Sequence, residues 1–157
     1  MGMHRRLTLA LLVAVIAMGQ SSATGQSRSA QRPAPVVQVY KSPTCGCCAL
    51  WVKHLQDAGF TTKVTEIEDL TDIKTKNGVP ARAQSCHTAI VDGYVLEGHV
   101  PAADVQRLLK ERPAVLGLAV PGMPIGSPGM EVPNMKAQPF NVVSFNKQGQ
   151  LQVFASH

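Results

Sequence analysis

An α/β fold is predicted by three observations. A short β-branched strand, Val36-Val37-Gln38-Val39-Tyr40, runs through a cysteine turn straight into a segment of helical periodicity. A hairpin signal, Asp92-Gly93, separates two further apolar runs, and an amphipathic helix follows them. A Pro/Gly-rich stretch then leads into one more strand pair.

Each element has a local reason. Lys41-Ser42-Pro43-Thr44 ends the first strand, because Pro43 has no amide to donate and restricts the residue before it. From Cys47 to Ala58, the residues Trp51, Val52, Leu55 and Ala58 recur at helical spacing, and Gly59 stands where a C-terminal cap belongs. Thr61 to Ile67 is a second strand, and Asp69 or Thr71 caps a short helix that ends at Asn77-Gly78. Thr88-Ala89-Ile90-Val91 is a third strand, turned at Asp92-Gly93 into Tyr94-Val95-Leu96. Pro101 suits the first turn of a helix from Ala102 to about Glu111, with Val105, Leu108 and Leu109 on its apolar face; Arg112-Pro113 ends it. The order β-α-β-α-β-β-α predicts a thioredoxin-like sandwich built between residues 36 and 112.

Residues 113–139 hold six prolines and four glycines, and Pro121-Gly122-Met123 recurs as Pro128-Gly129-Met130. A loop this long in a compact domain is either functional or disordered. Leu116, Leu118, Val120 and Ile125 give it apolar character, which predicts that it packs over the domain. Phe140 to Phe145 and Leu151 to Phe154, joined by Asn146-Lys147-Gln148-Gly149, form a C-terminal hairpin. The predicted domain therefore spans 36–157 and includes the Pro/Gly/Met-rich loop 113–139 and the hairpin 140–154.

The residues before it read differently. His4-Arg5-Arg6 precedes twelve residues, Leu7 to Met18, in which only Thr8 is polar, and small residues follow. That is the layout of a secretory signal peptide, predicted here over residues 1–23, with a flexible polar leader over 24–35. The apolar run is shorter than the roughly 20 residues of a spanning helix. Cleavage after Ala23 lowers Lys+Arg from 15 to 13 against 10 acidic residues, a net charge of +3. The charge is scattered and aromatics are scarce, so nucleic-acid binding has no support. Export places Cys45, Cys47, Cys48 and Cys86 in an oxidising compartment, where idle thiols pair or oxidise.

Cys45-Gly46-Cys47-Cys48 falls at a predicted helix N-terminus, whose free amides and dipole stabilise a thiolate. A thiolate serves disulfide exchange or metal binding alike. The middle cysteine separates the two: three crowded thiolates repel unless a cation sits among them, and thiolates select soft ions such as Cu(I) or Zn(II). Cys86, in Ser85-Cys86-His87-Thr88, precedes the third strand, and in a thioredoxin-like fold that loop faces the cysteine turn, which brings a fourth thiol and, with His87, an imidazole toward the same site. His99 lies in a turn before a helix and is weak evidence alone. His54 reads as surface and His157 as a mobile terminus. Met123, Met130 and Met135 all lie in the Pro/Gly-rich loop, where thioether sulfur shifts the balance toward copper over zinc. Two other readings stay open: disulfides stapling a small exported interaction domain, and a thiol–disulfide oxidoreductase with Cys45 as nucleophile and Cys48 as resolving residue.

The stretches SPTCGCC, SCHTA, YVLEGHVP and GLAVPGMPIGSPGME, in that order over residues 36 to 135, resemble the exported CopG-type copper-resistance family, also described as a domain of unknown function. The resemblance implies a thioredoxin-like fold in the periplasm of a Gram-negative bacterium. It implies copper held by the cysteines, in a multinuclear cluster, with a role in copper redox. Carried across, Cys45, Cys47, Cys48 and Cys86 match the ligand positions, and His99, Met123 and Met130 match motif positions. The expectation is a metal-binding protein of copper resistance that takes Cu(I), with Cu(II) and a copper oxidoreductase activity as an open extension. Its partners would be copper ions and other periplasmic copper-handling proteins, with no nucleic acid and no membrane once the signal is removed.

Overall fold

The computed structural model describes residues 35–157; the predicted signal peptide and residues 24–34 of the leader lie outside the described residues. The elements are β1 (Val36–Lys41), α1 (Gly46–Asp57), β2 (Thr61–Glu66), α2 (Thr71–Lys76), β3 (His87–Val91), β4 (Tyr94–Gly98), α3 (Ala102–Glu111), β5 (Gly117–Val120), β6 (Asn141–Phe145) and β7 (Leu151–Ser156), with a 3₁₀ turn, Ala81–Ala83, ahead of β3. Among the described residues the strands form one seven-stranded sheet in the order β2-β1-β3-β4-β5-β6-β7. The β1/β2 and β4/β5 pairs are parallel, each joined through a helix, and the other neighbours are antiparallel.

Strand alternation divides the core between the two faces of the sheet. Leu96 of β4 and Leu118 and Val120 of β5 join Val37, Val39, Ala89 and Val91 in one cluster with Trp51, Val52 and Leu55 of α1 and Val105 and Leu108 of α3. Val95 and Ala119, the intervening residues, join Val79, Ala83 and Phe145 in a second cluster. Full burial of each large side chain contributes about 1.5–3 kcal/mol. The periodicity of Trp51, Val52 and Leu55 on α1 is thus the periodicity of its contact with the sheet.

The boundaries of α1, α3, β3 and β4 follow their sequence signals closely. At α2, the Asp69 carboxylate accepts the Thr71 amide at 2.8 Å. Arg112 closes α3 in left-handed backbone, φ 49°. Three expectations are corrected. The stretch 113–139 is not loop throughout: β5 lies within it, in the interior of the sheet, buried along its whole length. A strand covered on both faces shows no alternation to read. His54 is only half-exposed, and its Nε2 accepts the Ala102 amide at 3.0 Å, so it caps α3. His157 is held as well: its ring stacks on Phe140 at 5.0 Å, its Nε2 lies 2.8 Å from Asp104, and its backbone exchanges hydrogen bonds with Phe140.

Because Leu118 is fully buried in a strand with neighbours on both sides, Leu118→Ala should lower the unfolding free energy by about 2–5 kcal/mol. Urea denaturation checks this, with a shifted midpoint and an unchanged slope expected.

Candidate metal centre

Register brings four strand ends together at one end of the sheet. Lys41 pairs with His87, so the exit of β1 lies beside the entry of β3. Thr88 pairs with Glu97, and Gly98 with Val120, which adds the exits of β4 and β5. The segments attached there are the cysteine turn, Ser85-Cys86, His99-Val100 and the stretch beginning at Pro121.

The cysteine turn is built by Pro43 stopping β1 and by the first turn of α1. Cys45 makes no helical bond through its backbone nitrogen, which donates to the Ser42 carbonyl at 3.2 Å. Instead it is the N-cap of α1, its Sγ accepting the Cys48 amide at 3.4 Å. The amide-rich end of the helix is therefore directed at sulfur. Cys45 and Cys48 are joined in a disulfide, with Cα atoms 5.4 Å apart, while Cys47 and Cys86 are free thiols. Cys47 Sγ stands 3.5 Å from Cys45 Sγ. All four sulfurs lie within 4.8 Å of one another.

Cys86 connects this group to a second one. Its Sγ is 3.0 Å from His99 Nε2 and 3.2 Å from His87 Nδ1. His99 Nδ1 lies 2.8 Å from the Pro128 carbonyl, which can only accept, so Nδ1 carries the proton and Nε2 faces Cys86 with its lone pair. His87 is fully buried, and among the described residues its Nε2 has no partner at hydrogen-bonding geometry. Its ring contacts Trp51 at 4.3 Å and His99 at 5.1 Å. Burial, followed by the neighbouring His99 and Lys74, depresses His87 well below the usual imidazole range. Burial also lowers His99, against the opposing Pro128 carbonyl and Glu131 charge. Burial and then the nearby Cys47 push the Cys86 thiol up to about 12. Two neutral imidazoles and a protonated thiol thus share the site, and a metal entering it displaces the thiol proton.

The Pro/Gly-rich stretch does pack over this region, through its second Pro-Gly-Met. Gly129 has φ +85°, and a Cβ there would fall 2.7 Å from the Cys47 carbonyl and 2.8 Å from the Trp51 amide. Only a residue without a side chain lets this loop rest on α1. Pro128 beside it supplies the carbonyl that orients His99.

A family model described as a protein of unknown function, DUF411, matches residues 83–130, which hold Cys86, His87, His99 and both Pro-Gly-Met units. No curated protein matches the chain. Among solved structures, the chain is 42% identical to copper resistance protein copG, form 2, with a TM-score of 0.74, covering 78% of this chain and 98% of that one. Form 1 of copper resistance protein copG gives 43% identity, a TM-score of 0.73 and coverage of 78% and 96%. The chain belongs to the CopG family of copper resistance proteins.

In this CopG-family chain, Cys45, Cys47, Cys48 and Cys86 converge as a cluster compatible with metal binding, and Cys86, His87 and His99 form a second such group. Sulfurs this close suit a soft ion that several thiolates share. Met130 is half-buried beside Gly129, whereas Met123, in left-handed backbone at φ 47°, is 40% exposed and Met135 54%. His87 is the residue the sequence reading leaves out of its ligand set. Its signal was adjacency to Cys86 in SCH, which does not reveal that the first residue of β3 points inward.

Gly129→Ala should push the loop off α1 and cost about 1–3 kcal/mol of stability. Thermal unfolding measures the cost, and loss of the protected His99 Nδ1 proton in NMR spectra would report that Pro128 has moved.

Proposed function

We propose that this CopG-family chain is a periplasmic copper-binding protein that holds Cu(I) on the thiolates of Cys45, Cys47, Cys48 and Cys86. His99 and His87 serve as imidazole donors, and Met130 and Met123 as thioether donors from the covering loop. The observation that carries this reading is the meeting of four sulfurs within 4.8 Å of one another in a chain 42% identical to a copper resistance protein. Four thiolates are too few to give several ions separate sets, so bridging sulfurs and a multinuclear cluster follow if more than one Cu(I) enters. Thioether and thiolate donors together favour copper over zinc, which is served by closed Cys/His sets. The signal-peptide pattern of residues 1–23 supports the periplasmic location.

The disulfide adds a redox dimension. With Cys45 and Cys48 joined, two of the four sulfurs are withdrawn from thiolate chemistry. Breaking that S–S bond takes two electrons, which an external dithiol supplies while itself becoming a disulfide, or which two Cu(I) ions supply while becoming two Cu(II). The second route is a copper oxidoreductase step balanced within the site. The same disulfide favours a second reading, a thiol–disulfide oxidoreductase with Cys45 at the helix N-terminus as nucleophile.

Metal analysis of protein purified anaerobically from copper-treated cells tests the primary reading. Copper should be bound and should fall in Cys47→Ser, with the fold retained. Less than one copper per chain under saturating Cu(I) would overturn it. The oxidoreductase reading instead expects Cys47→Ser to keep full thiol-exchange activity, because Cys45 and Cys48 suffice. Fractionation of cells expressing the full chain checks location: recovery in the cytoplasm with residues 1–23 still attached would overturn the periplasmic assignment.

A further inference from the structure

Cys86 and His87 are flanked by an ion pair that copper binding itself does not use. Glu97 of β4 is fully buried and Lys74 of α2 is 7% exposed. Glu97 Oε1 accepts the Ser85 backbone amide at 2.6 Å and also the Lys74 ammonium. Its other oxygen, Oε2, accepts the Thr88 hydroxyl at 2.7 Å, and Lys74 Nζ donates to Thr88 Oγ1 at 3.1 Å. Ser85 and Thr88 are the residues on either side of Cys86-His87. One carboxylate therefore grips a four-residue span at both ends, with one oxygen on each.

Glu97 also stands two residues before His99, whose Nε2 is 3.0 Å from Cys86 Sγ. Between them Gly98 has φ +69°, and a Cβ there would meet Ser85 Oγ at 2.5 Å. The span thus lies directly against the end of β4, and the carboxylate fixes where along it Cys86 sits. A buried ion pair adds little net stability compared with apolar side chains of the same volume. What it adds is direction, since two charge-assisted hydrogen bonds to one rigid group define both distance and orientation.

We propose that Glu97 is a positioning residue for Cys86 and His87, with Lys74 as its counter-ion. Its consequence for copper rests on the function proposed above; its geometry does not. The test therefore has a readout without metal. In the metal-free protein Cys47 and Cys86 are free, with sulfurs no more than 4.8 Å apart, so a short dithiol-bridging fluorophore should link them. Lys74→Met/Glu97→Leu removes the grip without leaving a buried charge. Lys74→Met/Glu97→Gln keeps an oxygen for the Ser85 amide and an NH₂ for the Thr88 hydroxyl.

The leucine variant should bridge at least about tenfold more slowly, with simple alkylation of Cys47 unchanged, and the glutamine variant should recover most of the rate. Cu(I) affinity, measured by chelator competition, should fall about 10–100-fold in the leucine variant. A folded leucine variant that bridges at the wild-type rate overturns the proposal. If that variant does not fold, Thr88→Val decides, since it keeps the ion pair and the Ser85 bond. Severalfold slower bridging supports positioning, and an unchanged rate overturns it. Slowed bridging in a protein whose wild type takes no copper supports the positioning role and overturns the copper reading alone.

Discussion

The placement of β3 between β1 and β4 is the constraint from which the site follows. Its antiparallel register with β1 sets His87 opposite Lys41, and its register with β4 sets Thr88 opposite Glu97. A slip of one residue along either ladder would turn every side chain of β3 to the other face. His87 would leave the interior, and Cys86 would no longer face the cysteine turn. The apolar pattern of β3 and β4, buried almost throughout, fixes that register and so fixes an arrangement compatible with metal binding that no local contact among the cysteines could establish.

The cysteines present two incompatible chemistries in one place. As thiolates at the start of α1 they form a cluster compatible with a soft cation, and as the Cys45–Cys48 disulfide two of them are spent. Around them, burial keeps His87 and His99 neutral and Cys86 protonated. An apolar, neutral pocket of this kind disfavours assembling several naked thiolates. It favours an arrangement in which a cation or an S–S bond removes the charge. In the function proposed above, bound copper and the Cys45–Cys48 disulfide are two ways of removing the same charge from one site.

Much of this was legible in the residues. The Cys47–Ala58 periodicity, the Asp92-Gly93 turn and Arg112-Pro113 marked α1, the β3–β4 hairpin and the end of α3, because each depends on neighbours in sequence. The four cysteines were legible because their chemistry is uncommon at that spacing, whereas His99, weak on its own, entered through the resemblance of its EGHVP stretch. β5 was hidden by double burial, which erases alternation. The imidazole of His87 was legible beside Cys86 but its full burial was not, and the Glu97–Lys74 pair was hidden, because both arise from register between strands, which no residue-by-residue property encodes. His54 and His157 looked solvent-facing for the same reason: their partners, Ala102 and Asp104, come from α3.

Trp51 gives the arrangement a consequence of a different kind. It is the chain's single tryptophan, fully buried, anchored by its indole N–H to the Val100 carbonyl at 2.8 Å, and in ring contact with His87. Its backbone amide also underlies Gly129 of the covering loop. The indole thus touches the imidazole side of the site and the turn after His99, and its own backbone lies under the loop above α1. Its emission is an intrinsic optical gauge of the site, free of background from any other indole and readable in the unmodified protein.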